Sequence, residues 1–276
     1  MIKRTLSTIA LWAVVIGTVC YGGAVGSVVL LAVFSTLAQF ELQGILGKSG
    51  LPPWPVAPLA LGFGIVLQAG LNLACGIFLW PIAAVALTLG ALACAQNPAA
   101  LNRLAGSVLA VAYVPMMLLF YAMIMRGFGP ACARGEGVGL AVWVIAVAKF
   151  TDVGGYLLGS LIGRHKLAPA ISPGKTWEGV AGGLVLAMSV GAGIWKFAPG
   201  WLPHWFTFSR ALWLPLPIGI AAIISDLSES ALKRRAGVKD SGRCIPGIGG
   251  ALDLADSLLL TAPVAYYLLY SVQATA

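Results

Sequence analysis

Residues 104–125 read LAGSVLAVAYVPMMLLFYAMIM, a stretch without a single charged side chain. A helix needs about 20 apolar residues to cross a hydrocarbon core of about 30 Å. The stretch is therefore typical of a membrane-spanning helix. Similar windows recur along the chain, and together they decide its fold class.

The composition of the whole chain agrees with this interpretation. The 276 residues are 59% hydrophobic and only 9% charged, and the mean hydropathy is +0.93. An average soluble domain is about 25% charged, so a disordered chain, a fibrous chain and an ordinary soluble enzyme are excluded. The five cysteines form no CxxC pair and indicate neither a disulfide framework nor a zinc site.

The apolar windows predict an all-α, polytopic membrane bundle of about nine transmembrane helices. We expect one membrane domain over residues 1–276, in which 1–148 form N-terminal helices and 149–276 form the candidate catalytic helices and cytoplasmic loops. The predicted spans lie near residues 6–22, 24–40, 55–70, 72–95, 104–125, 138–160, 179–197, 211–228 and 257–274.

The distribution of cations predicts the orientation. With a cytoplasmic N-terminus, twelve of the 17 Lys and Arg residues fall in inner segments and four in outer loops. The positive-inside rule favours this arrangement. Two inner segments, 162–178 and 229–256, are long and polar, so we expect the chemistry on the cytoplasmic side. The net charge of +8 is interpreted as cations facing anionic lipid rather than as a nucleic-acid site.

The sixth predicted span contains two ionisable residues, Lys149 and Asp152. Their spacing of three places them on one helical face. Ionisable residues inside a span are costly and usually face a partner or a cavity. The pair is either an internal ion pair that fixes helix packing or part of a functional site, and in a transporter it would serve as a coupling pair.

Two acidic clusters flank the second polar segment. Asp226, Glu229 and Ser230 fall on one helical face, and Asp253 and Asp256 repeat the three-residue spacing. Helix capping is one explanation for the second pair. Carboxylates clustered at a water-facing boundary repel one another unless a cation lies between them, and oxygen ligands of this type suit Mg²⁺.

The segment between these clusters combines cations with glycines, starting from Lys233 and ending at Gly250. Glycine lets backbone N–H groups approach anions, and the cations neutralise them. The other polar segment contains Ser172-Pro-Gly-Lys175-Thr176 directly before a predicted helix, where an anion could bind at the helix N-terminus. These features indicate a metal and polyphosphate site, and hence phosphoryl or nucleotidyl transfer to a lipid.

The stretch from Ser230 to Asp256 closely resembles the signature of bacterial phosphatidate cytidylyltransferases, also called CDP-diacylglycerol synthases. It carries Lys233-Arg234, Lys239-Asp240 and the later glycines in the family's order. The blocks His165–Pro169 and Ser172–Gly179 resemble the family's second motif. The resemblance covers roughly residues 149–265.

The resemblance implies that CTP and phosphatidate react to give CDP-diacylglycerol and pyrophosphate, with Mg²⁺ as cofactor, at the cytoplasmic face of the bacterial inner membrane. A homodimer is one assembly that it permits, and no nucleic-acid partner is expected. The implied residues are Asp226 and Asp253 for the metal; Ser230, Lys233, Lys239 and Asp240 for catalysis; Ser172, Lys175, Arg234, Gly249 and Gly250 for substrate phosphates; and Asp152, Glu229 and Asp256 as further candidates.

Five positions depart from the family pattern: Ala251 and Ala255 replace bulkier apolar residues, and three others lack a polar or charged side chain that is usual in the family. Ile248 stands where His is usual, Leu254 where Arg follows the metal-binding Asp, and Val153 where Ser or Thr is usual. Three interpretations remain open: a divergent but active synthase, a paralogue that uses a different lipid phosphate, and a non-catalytic membrane protein or transporter derived from this fold.

Overall fold

The chain folds into helices, as the hydropathy pattern predicts, and the all-α membrane class is confirmed. Side chains are described from residue 13 onward. The computed structural model describes residues 2–73, 90, 93–94, 97–128, 135–245, 247 and 249–275.

Among the described residues, one two-stranded β-hairpin accompanies the helices. The elements are α1 (Ile2–Lys48), α2 (Ala57–Leu71), α3 (Pro98–Tyr113), α4 (Pro115–Arg126), α5 (Glu136–Ile162), β1 (Lys166–Ala168), β2 (Ser172–Thr176), α6 (Trp177–Phe197), α7 (Phe208–Trp213), α8 (Pro215–Arg235), α9 (Ala251–Ala255) and α10 (Thr261–Ala274).

Two compact units divide the chain. Unit 1 comprises Met1–Ala122 and Arg235–Leu254, and unit 2 comprises Met123–Arg234 and Ala255–Ala276. Each unit therefore combines a long continuous stretch with a short segment from near the C-terminus. The single membrane domain expected from the sequence stays a prediction.

Five helical segments among the described residues are long and apolar enough to cross a membrane. The predicted number of nine spans is not confirmed, and the predicted span 72–95 lies largely outside the described residues. α10 has 14 residues, which is about 21 Å of helix and shorter than the bilayer core. The candidate spans are Ala13–Lys48, Pro98–Arg126, Glu136–Ile162, Trp177–Phe197 and Phe208–Arg235.

The first two predicted spans form one helix, α1, with a kink at Gly23. That residue has φ 55° and ψ −146°, a combination open essentially only to glycine. Residues 24–48 alone extend about 37 Å at 1.5 Å per residue, which is enough to cross the membrane. Two further breaks coincide with Pro115 and Pro215, because proline has no backbone N–H to continue a helix.

In unit 2, α5 and α6 pack through glycines. A Cβ atom on Gly154 would lie 2.8 Å from the carbonyl oxygen of Gly182, and one on Gly183 would lie 2.5 Å from that of Thr151. Small residues let membrane helices approach closely. This contact brings the polar end of α5 against the start of α6, where the hairpin is attached.

Two polar segments differ from the expectation that they are loops. β1 pairs with β2 in antiparallel register, with Lys166 opposite Thr176. The interpretation of Lys233 and Arg234 as loop residues is wrong, because α8 continues to Arg235. Its last two turns are made of good helix formers such as Leu, Lys, Arg and Ala, and the chain turns away at Gly237, which has φ 68°.

Large apolar side chains cover much of the outer surface of the described helices. On α1, Val25, Val29 and Val33 are exposed, whereas Val28 and Ala32 are buried. In water such a surface would promote aggregation. It is the surface that a helix presents to lipid, which agrees with an integral membrane protein.

Candidate functional site

Unit 2 contains a cavity of about 340 Å³ lined by α5, β2, α6 and α8. This volume lies at the lower end of the range for small-molecule sites, which is about 300–1,000 Å³. Its polar lining includes Asp152, Tyr156, Ser160, Ser172, Lys175 and Asp226.

An ion pair between Lys175 and Asp226 lies in this cavity. The Nζ atom of Lys175, on β2, is 2.7 Å from Oδ2 of Asp226, on α8. The hydroxyl of Ser230 donates to Oδ1 of the same carboxylate at 3.3 Å. A residue predicted to bind phosphate and one predicted to bind metal are therefore paired directly, which the sequence did not indicate.

Lys149, near the middle of α5, holds a second ion pair. Its Nζ atom is 2.8 Å from Oγ of Ser257 and 3.2 Å from Oδ1 of Asp256. Asp152, three residues along the same helix, is more distant at 3.8 Å. The spacing predicted the Asp152 contact but not the shorter one to Asp256, and the arrangement agrees with a packing role for Lys149.

The end of α8 carries a third pair. Glu229 is fully buried, and its Oε1 atom lies 3.0 Å from Nζ of Lys233, one helical turn later. Arg234, the next residue, is exposed. The helix therefore directs Lys233 inward, toward Glu229, and leaves Arg234 available to solvent or headgroups.

The start of α6 is capped by the protein itself. The side chain of Thr176 accepts a hydrogen bond from the N–H of Gly179 at 3.1 Å. Glu178 accepts the backbone N–H groups of Arg164 and His165 and lies 2.6 Å from Nδ1 of His165. An anion at this helix N-terminus, as the sequence suggested, would compete with Thr176, so Ser172 and Lys175 are the better candidates for phosphate contacts.

In unit 1, the segment that follows α8 contains four predicted site residues, which differ in exposure. Lys239 and Asp240 are exposed. Gly249 has φ 136°, and its N–H donates to the carbonyl of Ile245 at 3.1 Å. That N–H is therefore already used within the segment, while Gly250 is buried and its predicted phosphate contact stays a prediction.

Asp253 lies in the short helix α9 and is held by Ser241. The backbone N–H of Ser241 lies 3.3 Å from Oδ1 and 3.2 Å from Oδ2 of Asp253. The N–H of Asp253 in turn donates to the hydroxyl of Ser241 at 3.3 Å. Asp256 follows the end of α9 and precedes α10, so the two acidic residues do not share the start of one long helix.

Glu41 is the residue of this region that the sequence interpretation missed. It lies on α1, is only 4% exposed, and accepts hydrogen bonds from Ser241, Cys244 and Leu252. Burial, together with this carboxylate, raises the pKa of the Cys244 thiol to about 11. A lone carboxylate between Phe40 and Leu42, directly after a predicted span, is the signal that could have drawn attention to it.

The acidic residues fit magnesium in kind. Asp226 and Asp253 offer hard carboxylate oxygens, and Mg²⁺ is usually bound by one or two carboxylates together with water and substrate phosphates. Among the residues that the structure describes, no group of three or more His, Cys, Asp or Glu side chains gathers around one point. The two aspartates lie in different units, so their convergence stays a prediction.

The residues that depart from the family pattern differ in how exposed they are. Leu254 is half-buried in α9, and Val153 is exposed on α5. Ile248 lies outside the described residues. Leu254 and Val153 add apolar surface where the family usually has a charge or a hydroxyl.

Comparison with known proteins gives one family. The model of the cytidylyltransferase family matches residues 2–272. This range includes every candidate site residue of both units.

The curated relatives agree with the family match. The chain is 41% identical over 143 residues to a phosphatidate cytidylyltransferase of Staphylococcus saprophyticus, covering 50% of this chain and 52% of that protein. It is 38% identical over 167 residues to the Staphylococcus haemolyticus protein of the same name, covering 59% and 57%. It is 42% identical over 131 residues to the uncharacterized protein YnbB of Escherichia coli, covering 48% and 42%. The chain thus spans about half the length of these relatives.

Proposed function

This chain belongs to the cytidylyltransferase family, and from that premise we propose that it is a CTP-dependent phosphatidate cytidylyltransferase. The reaction joins the cytidylyl group of CTP to phosphatidate, forming CDP-diacylglycerol and releasing pyrophosphate. The observation that carries the proposal is the extent of the family match, from residue 2 to residue 272. Relatives that bear this enzyme's name are 38–41% identical to the chain.

The cavity in unit 2 supports a role in binding phosphate. Lys175 lines it together with Ser172, and in the free protein the charge of Lys175 is balanced by Asp226. An incoming phosphate oxygen would compete with Asp226 for the ammonium group. The Asp226 carboxylate would then be available to a cation that enters with the substrate.

The proposed chemistry is an in-line displacement at phosphorus. A phosphate oxygen of phosphatidate attacks the α-phosphorus of CTP, and the bond from that phosphorus to the bridging oxygen of pyrophosphate breaks. Phosphoryl transfer of this kind depends chiefly on positioning and on neutralising charge. We assign the neutralising role to Lys233, Lys239 and Arg234, with Ser230 and Asp240 orienting the phosphates.

We further propose that Asp226 and Asp253 hold Mg²⁺. When bound, the ion would supply positive charge between two anionic reactants. The supporting observation is the donor chemistry of the two carboxylates, each of which is oriented by a hydrogen bond from a serine. Asp152, Glu229 and Asp256 are assigned supporting roles, because all three already pair with lysines.

The proposed setting is the bacterial inner membrane, with the site open to the cytoplasm. Apolar spans keep the acyl chains of the substrate in the bilayer, while the headgroup reaches the polar boundary. The excess of Lys and Arg in the predicted inner segments supports this orientation. A homodimer remains one assembly that the proposal allows.

The test uses purified full-length protein with Mg²⁺, CTP labelled at the α-phosphate, and phosphatidate in mixed micelles. We expect a labelled lipid and stoichiometric pyrophosphate, with no product from ATP or GTP. A panel of other glycerolipid and polyprenyl phosphates distinguishes the acceptors. Absence of product with every lipid would refute the nucleotidyltransferase, and product from another lipid phosphate alone would replace phosphatidate as the substrate.

A further inference from the structure

The buried carboxylate of Glu41 on α1 organises a segment that lies about 200 residues further along the chain. Its Oε2 atom accepts from the hydroxyl of Ser241 at 3.0 Å and from the N–H of Leu252 at 2.9 Å. Its Oε1 atom accepts from the N–H of Cys244 at 3.1 Å. Burying a carboxylate is costly unless such donors surround it, so these three contacts explain how Glu41 is accommodated in unit 1.

The contact with Ser241 extends to Asp253. A serine hydroxyl has a single proton, and here that proton is donated to Glu41. The oxygen of the hydroxyl is thereby turned so that it accepts the N–H of Asp253, at 3.3 Å. The N–H of Ser241 meanwhile faces the Asp253 carboxylate at 3.2 Å, and the orientation of Asp253 therefore depends on Glu41 through one intermediate residue.

The segment packs closely around the Glu41 carboxylate. A Cβ atom on Gly242 would be 2.3 Å from Oε1 of Glu41, and one on Gly250 would be 2.7 Å from Oε2. Both glycines thus permit the backbone to close around the carboxylate. Their close approach to Glu41 explains why glycine is needed at these two positions, which the motif alone did not suggest.

We propose that Glu41 is a positioning residue of the site, which holds Ser241 and, through it, Asp253 in the orientation that the reaction requires. The inference rests on the proposed function. It assigns part of the site to α1, in the half of the chain where the sequence indicated no site residue.

The first experiment compares full-length Glu41→Gln with the wild type. Glutamine keeps the shape but replaces one acceptor oxygen by an NH₂ group, which would face the donors of the segment. We expect kcat to fall by about 10- to 100-fold, the range typical of residues that orient metal ligands, with little change in the KM for CTP. Gln39→Leu is the matched control, because Gln39 is a buried polar residue of the same helix that instead donates to the carbonyl of Pro58. It should lower the melting temperature and leave kcat per folded molecule unchanged.

A double substitution tests whether Glu41 acts through Ser241. Ser241→Ala alone should also lower kcat, and the Glu41→Gln, Ser241→Ala double variant should be no slower than Glu41→Gln alone. Residues that act as one unit show this non-additivity. Fully additive losses would overturn the proposed route from Glu41 to Asp253.

Hydrogen exchange supplies a readout that does not require activity. In Glu41→Gln we expect the amides of Cys244 and Leu252 to exchange at least about 10-fold faster, because each loses a hydrogen bond to a charged acceptor, whereas in Gln39→Leu they should not. Unchanged exchange would refute the positioning role even if the wild type proves inactive on every lipid. Faster exchange with an unchanged kcat would restrict Glu41 to folding and overturn its role in the reaction.

Discussion

Asp226 and Asp253 lie in different compact units and are stabilised by different kinds of partner. In unit 2, Asp226 faces the ammonium group of Lys175 at 2.7 Å. In unit 1, Asp253 receives the backbone N–H of Ser241, and the hydroxyl of that serine donates to Glu41. The Asp226 carboxylate therefore contacts a side-chain charge, and the Asp253 carboxylate contacts a backbone amide.

The two kinds of partner suit two different tasks of the proposed phosphate site. A lysine can exchange its carboxylate partner for a phosphate, so the Asp226 region is suited to respond to substrate. A backbone amide cannot leave, so the orientation of Asp253 is set before substrate arrives. Rigid placement of that kind is what orientation-dependent chemistry requires.

Removing the carboxylate charge of Asp226 or of Asp253 should have the largest effect on turnover. We expect Asp253→Asn and Asp226→Asn each to lower kcat by more than the roughly 100-fold upper limit for residues that act only indirectly. Asparagine keeps a carbonyl oxygen for the serine donors, so folding should persist. The turnover of labelled CTP measures the loss of kcat, and thermal unfolding in detergent measures whether folding persists. Normal turnover by Asp253→Asn would contradict the metal assignment.

In unit 1, the pKa of the Cys244 thiol is a measure of how close the Glu41 carboxylate lies. Burial and the Glu41 carboxylate both disfavour the thiolate and raise its pKa from the usual 9.0 to about 11. At pH 8 the thiolate fraction should be roughly 100-fold lower than in the denatured chain, and it should recover as the pH rises through 11. Mass spectrometry of the Cys244 peptide after brief iodoacetamide treatment measures this, with denatured protein as the control. Titration near pH 9 in the folded protein would show that the carboxylate is not placed beside the thiol.

The ion pair of unit 2 can be isolated by a double-mutant cycle. Lys175→Met leaves the Asp226 carboxylate without its cation, and adding Asp226→Asn should recover part of the lost stability. Since both side chains are only 22% and 25% exposed, we expect a coupling free energy of about 1–3 kcal/mol, between the values for surface and buried pairs. Unfolding in denaturing detergent measures it. Strictly additive effects would mean that the pair contributes no stability.

The smallest effect concerns the helix contact beneath the unit 2 cavity. Gly183→Ala places a Cβ atom within 2.5 Å of the Thr151 carbonyl oxygen, and overpacking of this kind costs about 1–3 kcal/mol. Gly193→Ala on the same helix meets no atom within 4 Å and serves as the control. Because Ala favours a helix over Gly by about 1 kcal/mol, Gly193→Ala should be neutral or stabilising. Equal stability of the two variants would argue against the close approach of α5 and α6.

The helices could be predicted from sequence because the bilayer imposes a local rule. Every backbone polar group must be satisfied within its own segment, so windows of apolar residues predict the helical class, although the predicted number of nine spans is not confirmed. The rule fails at the edges of the membrane. There, the residues 229–235 extend α8 instead of forming a loop, and the Pro-Gly segment before α6 forms a strand.

The candidate site could be predicted only as a set of residue types. Spacing along one helix indicated that Lys149 faces Asp152 and that Ser230 faces Asp226. The partners of Lys175 and Glu41 lie about 50 and 200 positions away in the sequence, and tertiary packing alone brings them together. Glu41 lies directly after the predicted span 24–40 and matches none of the motifs found in the sequence, so nothing local indicated a role for it.

Because α8 continues past the predicted membrane boundary, one helix fixes the distance between Asp226 and Lys233. Asp226 and Lys233 lie two turns apart on one face, about 10 Å along the axis at 1.5 Å per residue. Their separation is fixed by helical geometry and not by a flexible linker. A single alanine inserted between them would rotate Lys233 by about 100° around the axis, so a change in the length of this stretch should disrupt the proposed site.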